Sequence, residues 1–116
     1  MPYASVEKIF KIAVCIPEEF VEMLTEKINS SMTQIYPGYD MVFSMAMVRG
    51  MWRPLPGSDP YDGEIGVTKT AEEIRVEFAV QEEDLERVIR TIADVHPYEE
   101  PAIDVFPMYA WKSVIR

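Results

Sequence analysis

The run over residues 8–16 constrains the fold of this chain more than any other stretch. Phe10, Ile12, Val14 and Ile16 alternate with Ile9, Lys11, Ala13 and Cys15. A strand that is largely apolar on both sides belongs in the middle of a sheet with both faces covered. Pro17 follows at once, suited to the first position of a helix, where its missing N–H costs nothing. Glu18 and Glu19 fill the first turn, where the helix dipole favours acids, and Phe20, Val21, Leu24 and Ile28 recur at helical spacing. This helix is expected to end near Ser30 or Ser31, and Pro37-Gly38 marks a turn.

The same logic extends along the chain. Residues 41–48 read as a second strand, with Met41, Phe43, Met45 and Met47 on one face and Val42, Ser44, Ala46 and Val48 on the other. Residues 50–63 are rich in turn formers and predict a long ordered loop, a kind of segment that often carries function. Residues 64–69 suggest a short edge strand. Ile74, Val76, Phe78 and Val80 alternate with Arg75, Glu77 and Ala79 as a half-buried strand. Residues 82–95 form a second helix with Leu85, Val88, Ile89 and Ile92 on its buried stripe, stopped by Pro97. Residues 103–106 make a last short strand and 109–116 a tail. The order β-α-β-(β)-β-α-β predicts an α+β, ferredoxin-like sandwich, with an extra hairpin or edge strand in the 50–72 connection. All 116 residues are expected to form one domain. A second sheet face that looks apolar and lies uncovered in a monomer predicts self-association.

Composition limits the function. The chain is 48% hydrophobic and 27% charged, a globular balance. A net charge of −9 argues against nucleic acid, where binding depends on neutralising phosphates. The acids concentrate in the two helices and the stretch around Glu99, Glu100 and Asp104. No apolar run is long enough for a membrane helix, and the opening MPYASVEK lacks the features of a signal peptide. A single Cys leaves no intrachain disulfide and no Cys-based zinc cluster. The expectation is a soluble cytoplasmic domain.

Three segments carry a family resemblance: His96-Pro97-Tyr98-Glu99-Glu100-Pro101-Ala102, the loop Trp52-Arg53-Pro54-Leu55-Pro56-Gly57-Ser58-Asp59-Pro60-Tyr61-Asp62-Gly63, and the opening Phe10-Lys11-Ile12-Ala13-Val14-Cys15-Ile16-Pro17. In this order and spacing they resemble the YqfO-type domain, an insertion inside bacterial members of the NGG-interacting factor family (type-two GTP cyclohydrolase homologues). The resemblance covers residues 8–107, leaving 108–116 as a C-terminal tail. It implies a fold similar to PII and CutA proteins and a homo-oligomer, typically a trimer. The dinuclear metal site of full-length members lies in flanking halves that are not part of this sequence, so the resemblance carries over no hydrolase chemistry. The chain departs from the usual pattern at Pro56, where an acid commonly precedes the Gly-Ser pair, and at Pro37-Gly38-Tyr39.

The candidate sites are few. His96, the single histidine, stands with Glu99 and Glu100 as a candidate divalent-metal set or as an acid/base. The competing reading, which weighs more, is a partly buried side chain that bonds the last helix carbonyls. In an extended segment Glu99 and Glu100 would point to opposite sides, which weakens a two-carboxylate mechanism. Arg49, Trp52, Arg53, Ser58 and Tyr98 are candidate ligand-binding residues, an aromatic-plus-guanidinium surface suited to a small anionic ligand. Ser58 otherwise starts a turn, and Cys15 reads as a buried, inert thiol. Met41, Met45 and Met47 suit adaptable packing better than a soft-metal site. No nucleophile–base pair shows at an evident spacing. The reading therefore leans away from an enzyme and towards a small oligomeric ligand- or metal-binding regulatory module with its site between subunits. Two alternatives stay open: a small metal-dependent hydrolase using His96, and a purely structural interaction subunit.

Overall fold

A computed structural model describes residues 6–115; Arg116 and most of the leader expectation, residues 1–5, lie outside the described residues. The elements run β1 (Lys8–Ile16), α1 (Val21–Ser30), β2 (Ser44–Trp52), β3 (Lys69–Gln81), α2 (Leu85–Val95), β4 (Ile103–Tyr109) and a short α3 (Trp111–Val114). A 3-10 turn precedes each long helix, at Glu18–Phe20 and at Glu82–Asp84. The four strands form one sheet in the order β2-β3-β1-β4, every neighbouring pair antiparallel. This is the ferredoxin-like arrangement, with β1 central as its doubly apolar pattern required.

Alternation assigns the two sheet faces. Ile12, Val14 and Ile16 of β1 and Val76, Phe78 and Val80 of β3 join Leu24, Ile28, Val88 and Ile92 of the helices in a fully enclosed core. The opposite face is not the apolar surface that the strand pattern suggested. Lys11 and Arg75 pair with Glu77 across it at 3.8 and 2.7 Å, and Asp104 stands opposite Ala13. Glu77 is met by Lys11 from the neighbouring strand β1 and by Arg75 two residues back on β3, so this face tolerates water better than its small residues imply.

Several boundaries differ from expectation, β2 running on to Trp52 and β3 beginning at Lys69 among them. Strand β2 starts at Ser44 rather than at residue 41, because Met41 adopts a left-handed backbone (φ 54°). Its N–H donates to Asn29 Oδ1 at 2.8 Å, and Asn29 also donates to Asp40, so α1 holds this turn. Residues 64–68 form no strand: Gly63 and Gly66 have φ of 118° and 82°, and Gly66 N–H turns back to Pro54 O at 2.8 Å. The last strand continues to Tyr109, and part of the expected tail is α3.

Strand β3 runs beyond the central sheet. Its residues from Ile74 onward pair with β1, whereas Lys69–Glu73 pair only with Val48–Trp52 of β2. These stretches make a two-stranded arm that reaches past the helices. The molecule is accordingly long, 53 × 30 × 24 Å, with a radius of gyration of 16.5 Å, against about 13 Å for a compact domain of this length. On one face of β2, Met51 in the arm and Met47 just before it are each 72% exposed, and Met45 is 53% exposed. A bare two-stranded ribbon is marginal in water, so something must hold the other face.

Candidate functional site

The connection from α2 to β4 supplies that support. It rounds the end of β1, where Cys15 N–H reaches Ala102 O at 3.4 Å, and lays Tyr98 on the arm. The Tyr98 hydroxyl donates to Glu73 Oε2 at 2.7 Å, and its ring packs against Trp52 with centroids 5.5 Å apart. Glu73 is only 6% exposed. Gly50 faces it so closely that a Cβ there would stand 2.1 Å from Glu73 Oε1 and would displace the carboxylate from this position. Burial first, then the carboxylate of Glu73, push the Tyr98 phenol far above its ordinary range, so it is a fixed donor. Tyr98→Phe is expected to lower unfolding free energy by about 2 kcal/mol, since it removes a hydrogen bond to a buried charge; chemical denaturation checks this.

The long loop closes over the same place. Leu55-Pro56-Gly57-Ser58 is a turn with proline second and glycine third (φ 101°), the signature of a type II turn. Ser58 closes this turn rather than starting one, with its N–H and Oγ both bound to Leu55 O at 3.1 and 2.8 Å. Trp52 Nε1 donates to Asp62 O at 2.9 Å, and Asp62 pairs with Lys69 at 3.4 Å. Tyr61 bridges Phe20 and Tyr98, at 6.2 and 5.9 Å between ring centroids. Glu99 fastens the loop tip, accepting from Asp59 N–H at 3.0 Å.

Between loop, arm and connection lies a cleft of about 540 Å³. Trp52, Arg53, Ser58, Tyr98, Glu99 and Glu100 all border it, so the structure gathers most of the candidate residues. Residues 98–100 form a bend rather than an extended run, which is why Glu99 and Glu100 reach the same cleft instead of opposite sides. Arg49 is not among them. It is three positions before Trp52 on β2, hence on the opposite face with Met47 and Met51. Glu73, Asp59, Tyr61 and Asp62 were not singled out from sequence. Of these, Glu73 had one signal, an acid beside Ile74 on the side of β3 turned away from the core.

His96 stands behind the cleft wall, 6% exposed. Its Nε2–H donates to Cys15 O at 2.7 Å, while Nδ1 accepts the Tyr98 N–H at 3.2 Å. The Tyr98 donor sets this tautomer, because an Nδ1 that accepts carries no proton. The partner is thus β1 rather than the last helix carbonyls, and the ring is neutral rather than cationic. Burial is the main cause that lowers its pKa below 6.5, outweighing the Cys15 carbonyl and Glu73. With both nitrogens bound to backbone, His96 has no lone pair left to join Glu99 and Glu100 on a metal. Among the described residues no three His, Cys, Asp or Glu side chains stand together as a metal site requires. Cys15 is half-buried on the cleft wall, its pKa raised chiefly by burial, as suits an unreactive thiol.

The α+β, ferredoxin-like sandwich is a fold this chain shares with CutA and PII proteins. The CutA of Synechococcus elongatus superposes with a TM-score of 0.62 at 12% identity, covering 98% of this chain and 99% of that one. The Bacillus subtilis GlnK in its ATP complex gives 0.58 at 13%, covering 87% and 83%. Higher in score is a Bacillus cereus protein related to NIF3, with a TM-score of 0.76 at 24% identity over 90% of this chain and 27% of that one. In sequence the chain is similar to the GTP cyclohydrolase 1 type 2 homolog of Bacillus subtilis, 31% identical over 99 residues. That match covers 84% of this chain but 26% of the relative. No family model matches the chain. The chain therefore resembles, in sequence and in fold, the YqfO-type part of these longer proteins. Among the described residues no helix is long and apolar enough to cross a membrane.

Proposed function

We propose that this chain is a cytoplasmic regulatory module that binds a small anionic ligand with a planar ring, and that it works as a homo-oligomer, a trimer in the manner its resemblance implies. One observation carries the ligand reading. Asp62 is paired with Lys69, Glu73 with Tyr98, and Glu99 with the loop backbone, whereas Arg53 has no ion-pair partner among the described residues. A free guanidinium beside Trp52, Tyr61 and Tyr98 suits a phosphate or carboxylate attached to a stacking ring. The ATP complex of the similarly folded GlnK makes ATP a natural first probe. The oligomer reading is supported by the bare methionines of β2 and by Phe106, Tyr109 and Trp111, all exposed.

A thermal-shift titration with ATP, and with inorganic phosphate as the ring-free control, tests the site. A ligand bound only by the native state raises Tm with concentration. ATP is expected to do so in the parent chain and not in Arg53→Ala; no rise at millimolar ATP overturns the reading. Light scattering at micromolar concentration is expected to return three times the chain mass, and a single-chain mass overturns the assembly.

A further inference from the structure

We infer that His96 is a proton-operated pin for the cleft wall: taking a proton at Nδ1 releases the backbone of Tyr98 and with it the aromatic side of the cleft. The pin acts on the cleft described above and requires no ligand. The ring makes two hydrogen bonds. Nε2–H is committed to Cys15 O on the central strand, and Nδ1 to the N–H of Tyr98. A proton from solvent can add only at Nδ1. There it replaces the lone pair that holds Tyr98 N–H, so two N–H groups then face one another. Turning the ring does not help, because the cation offers two donors and no acceptor, while its surroundings offer one carbonyl and one N–H.

What the pin holds is specific. His96 and Tyr98 pack with ring centroids 4.8 Å apart, and Tyr98 in turn touches Trp52, Tyr61 and the Glu73 carboxylate. Glu99, the next residue, holds the loop tip. A shift of the Tyr98 backbone is thus passed both to the arm and to the loop. The charged and titratable groups around the ring are Glu73 on β3, which favours the cation, and Cys15 on β1 and Tyr98 of its own connection, both neutral; Arg75 and Asp104 lie beyond, around Cys15. Burial opposes Glu73 and keeps the ring neutral near pH 7. The pin therefore operates on the acid side.

The chain has one histidine and two tryptophans, which makes the test direct. NMR follows the imidazole Cε1–H from pH 7.5 to 4.5, together with the Tyr98 amide and the Trp52 and Trp111 indole N–H signals. The Tyr98 amide and Trp52 indole are expected to move with the midpoint of the imidazole, while Trp111 stays. Both movements should vanish in His96→Gln, whose amide reaches Cys15 O without titrating, and His96→Asn serves if that variant does not fold. A Trp52 signal that ignores the imidazole midpoint overturns the inference, as does a shift that survives in the variant. So does a far-UV circular dichroism change coincident with the shift, which means global unfolding.

Discussion

Ile12→Ala will lower the unfolding free energy by about 3–4 kcal/mol, the cost of deleting a fully enclosed aliphatic side chain together with the cavity it leaves. Ile12 lies at the centre of β1, paired with Phe78 on one side and Val105 on the other, and its side chain is wholly buried under the helices. The surrounding structure has little freedom to collapse, because β1 is bonded on both edges and Leu24, Ile28, Val88 and Ile92 press from above. Domains of this size are stable by about 5–15 kcal/mol, so the variant retains only a fraction of its margin. Urea unfolding at fixed chain concentration checks this, through a lower midpoint at an unchanged slope. A loss below about 1 kcal/mol would show that β1 is not the centre of the core.

That position was legible from sequence because its cause is local. A run apolar on both sides, started by Lys8 and ended by Pro17, has few places to go. The helices were legible for the same reason, with Phe20, Leu24 and Ile28 on one stripe and Val88 and Ile92 on the other. What misled the strand boundaries acts from elsewhere. Asn29 on α1 captures the backbone of Met41 and delays β2, and no periodicity in residues 41–48 reveals that. Gly63 and Gly66 break the expected edge strand through positive φ, although their neighbours alternate well enough. The candidate site divides likewise. The aromatic, Arg53 and acidic residues came from two conspicuous segments, and the fold brings those segments together. Glu73 is inconspicuous in sequence because its meaning depends on Tyr98, 25 residues away, and the helix end beside His96 points to the last helix carbonyls, whereas its partner, Cys15, is 81 residues back. Contacts of that span are products of topology, and topology is where the sequence pattern is least explicit.

His96→Leu will cost about 3 kcal/mol at pH 8 and will also remove a slope in stability on the acid side. The first effect follows from burial. Leucine fills much of the space but leaves Cys15 C=O and Tyr98 N–H without partners, and each buried unpaired group costs about 1–3 kcal/mol. The second effect follows from linkage. The folded chain holds His96 neutral, so its pKa lies below the 6.5 of the unfolded chain. Between those two values the unfolded state binds more protons, and stability then rises with pH. The stabilisation by neutral His96 is therefore complete above pH 6.5, is lost as pH falls from there towards the folded pKa, and changes no further below it. Glu77, whose pKa is lowered from 4.5 mainly by its hydrogen bond with Arg75, acts in a separate and more acid window, with its support present above 4.5 and lost below. Unfolding measured from pH 8 to 5 should thus show a decline in the parent chain and a flat line in the variant. A decline of equal size in both would place the acid sensitivity in the carboxylates instead. It would also remove His96 as the element that joins the central strand to the wall of the cleft.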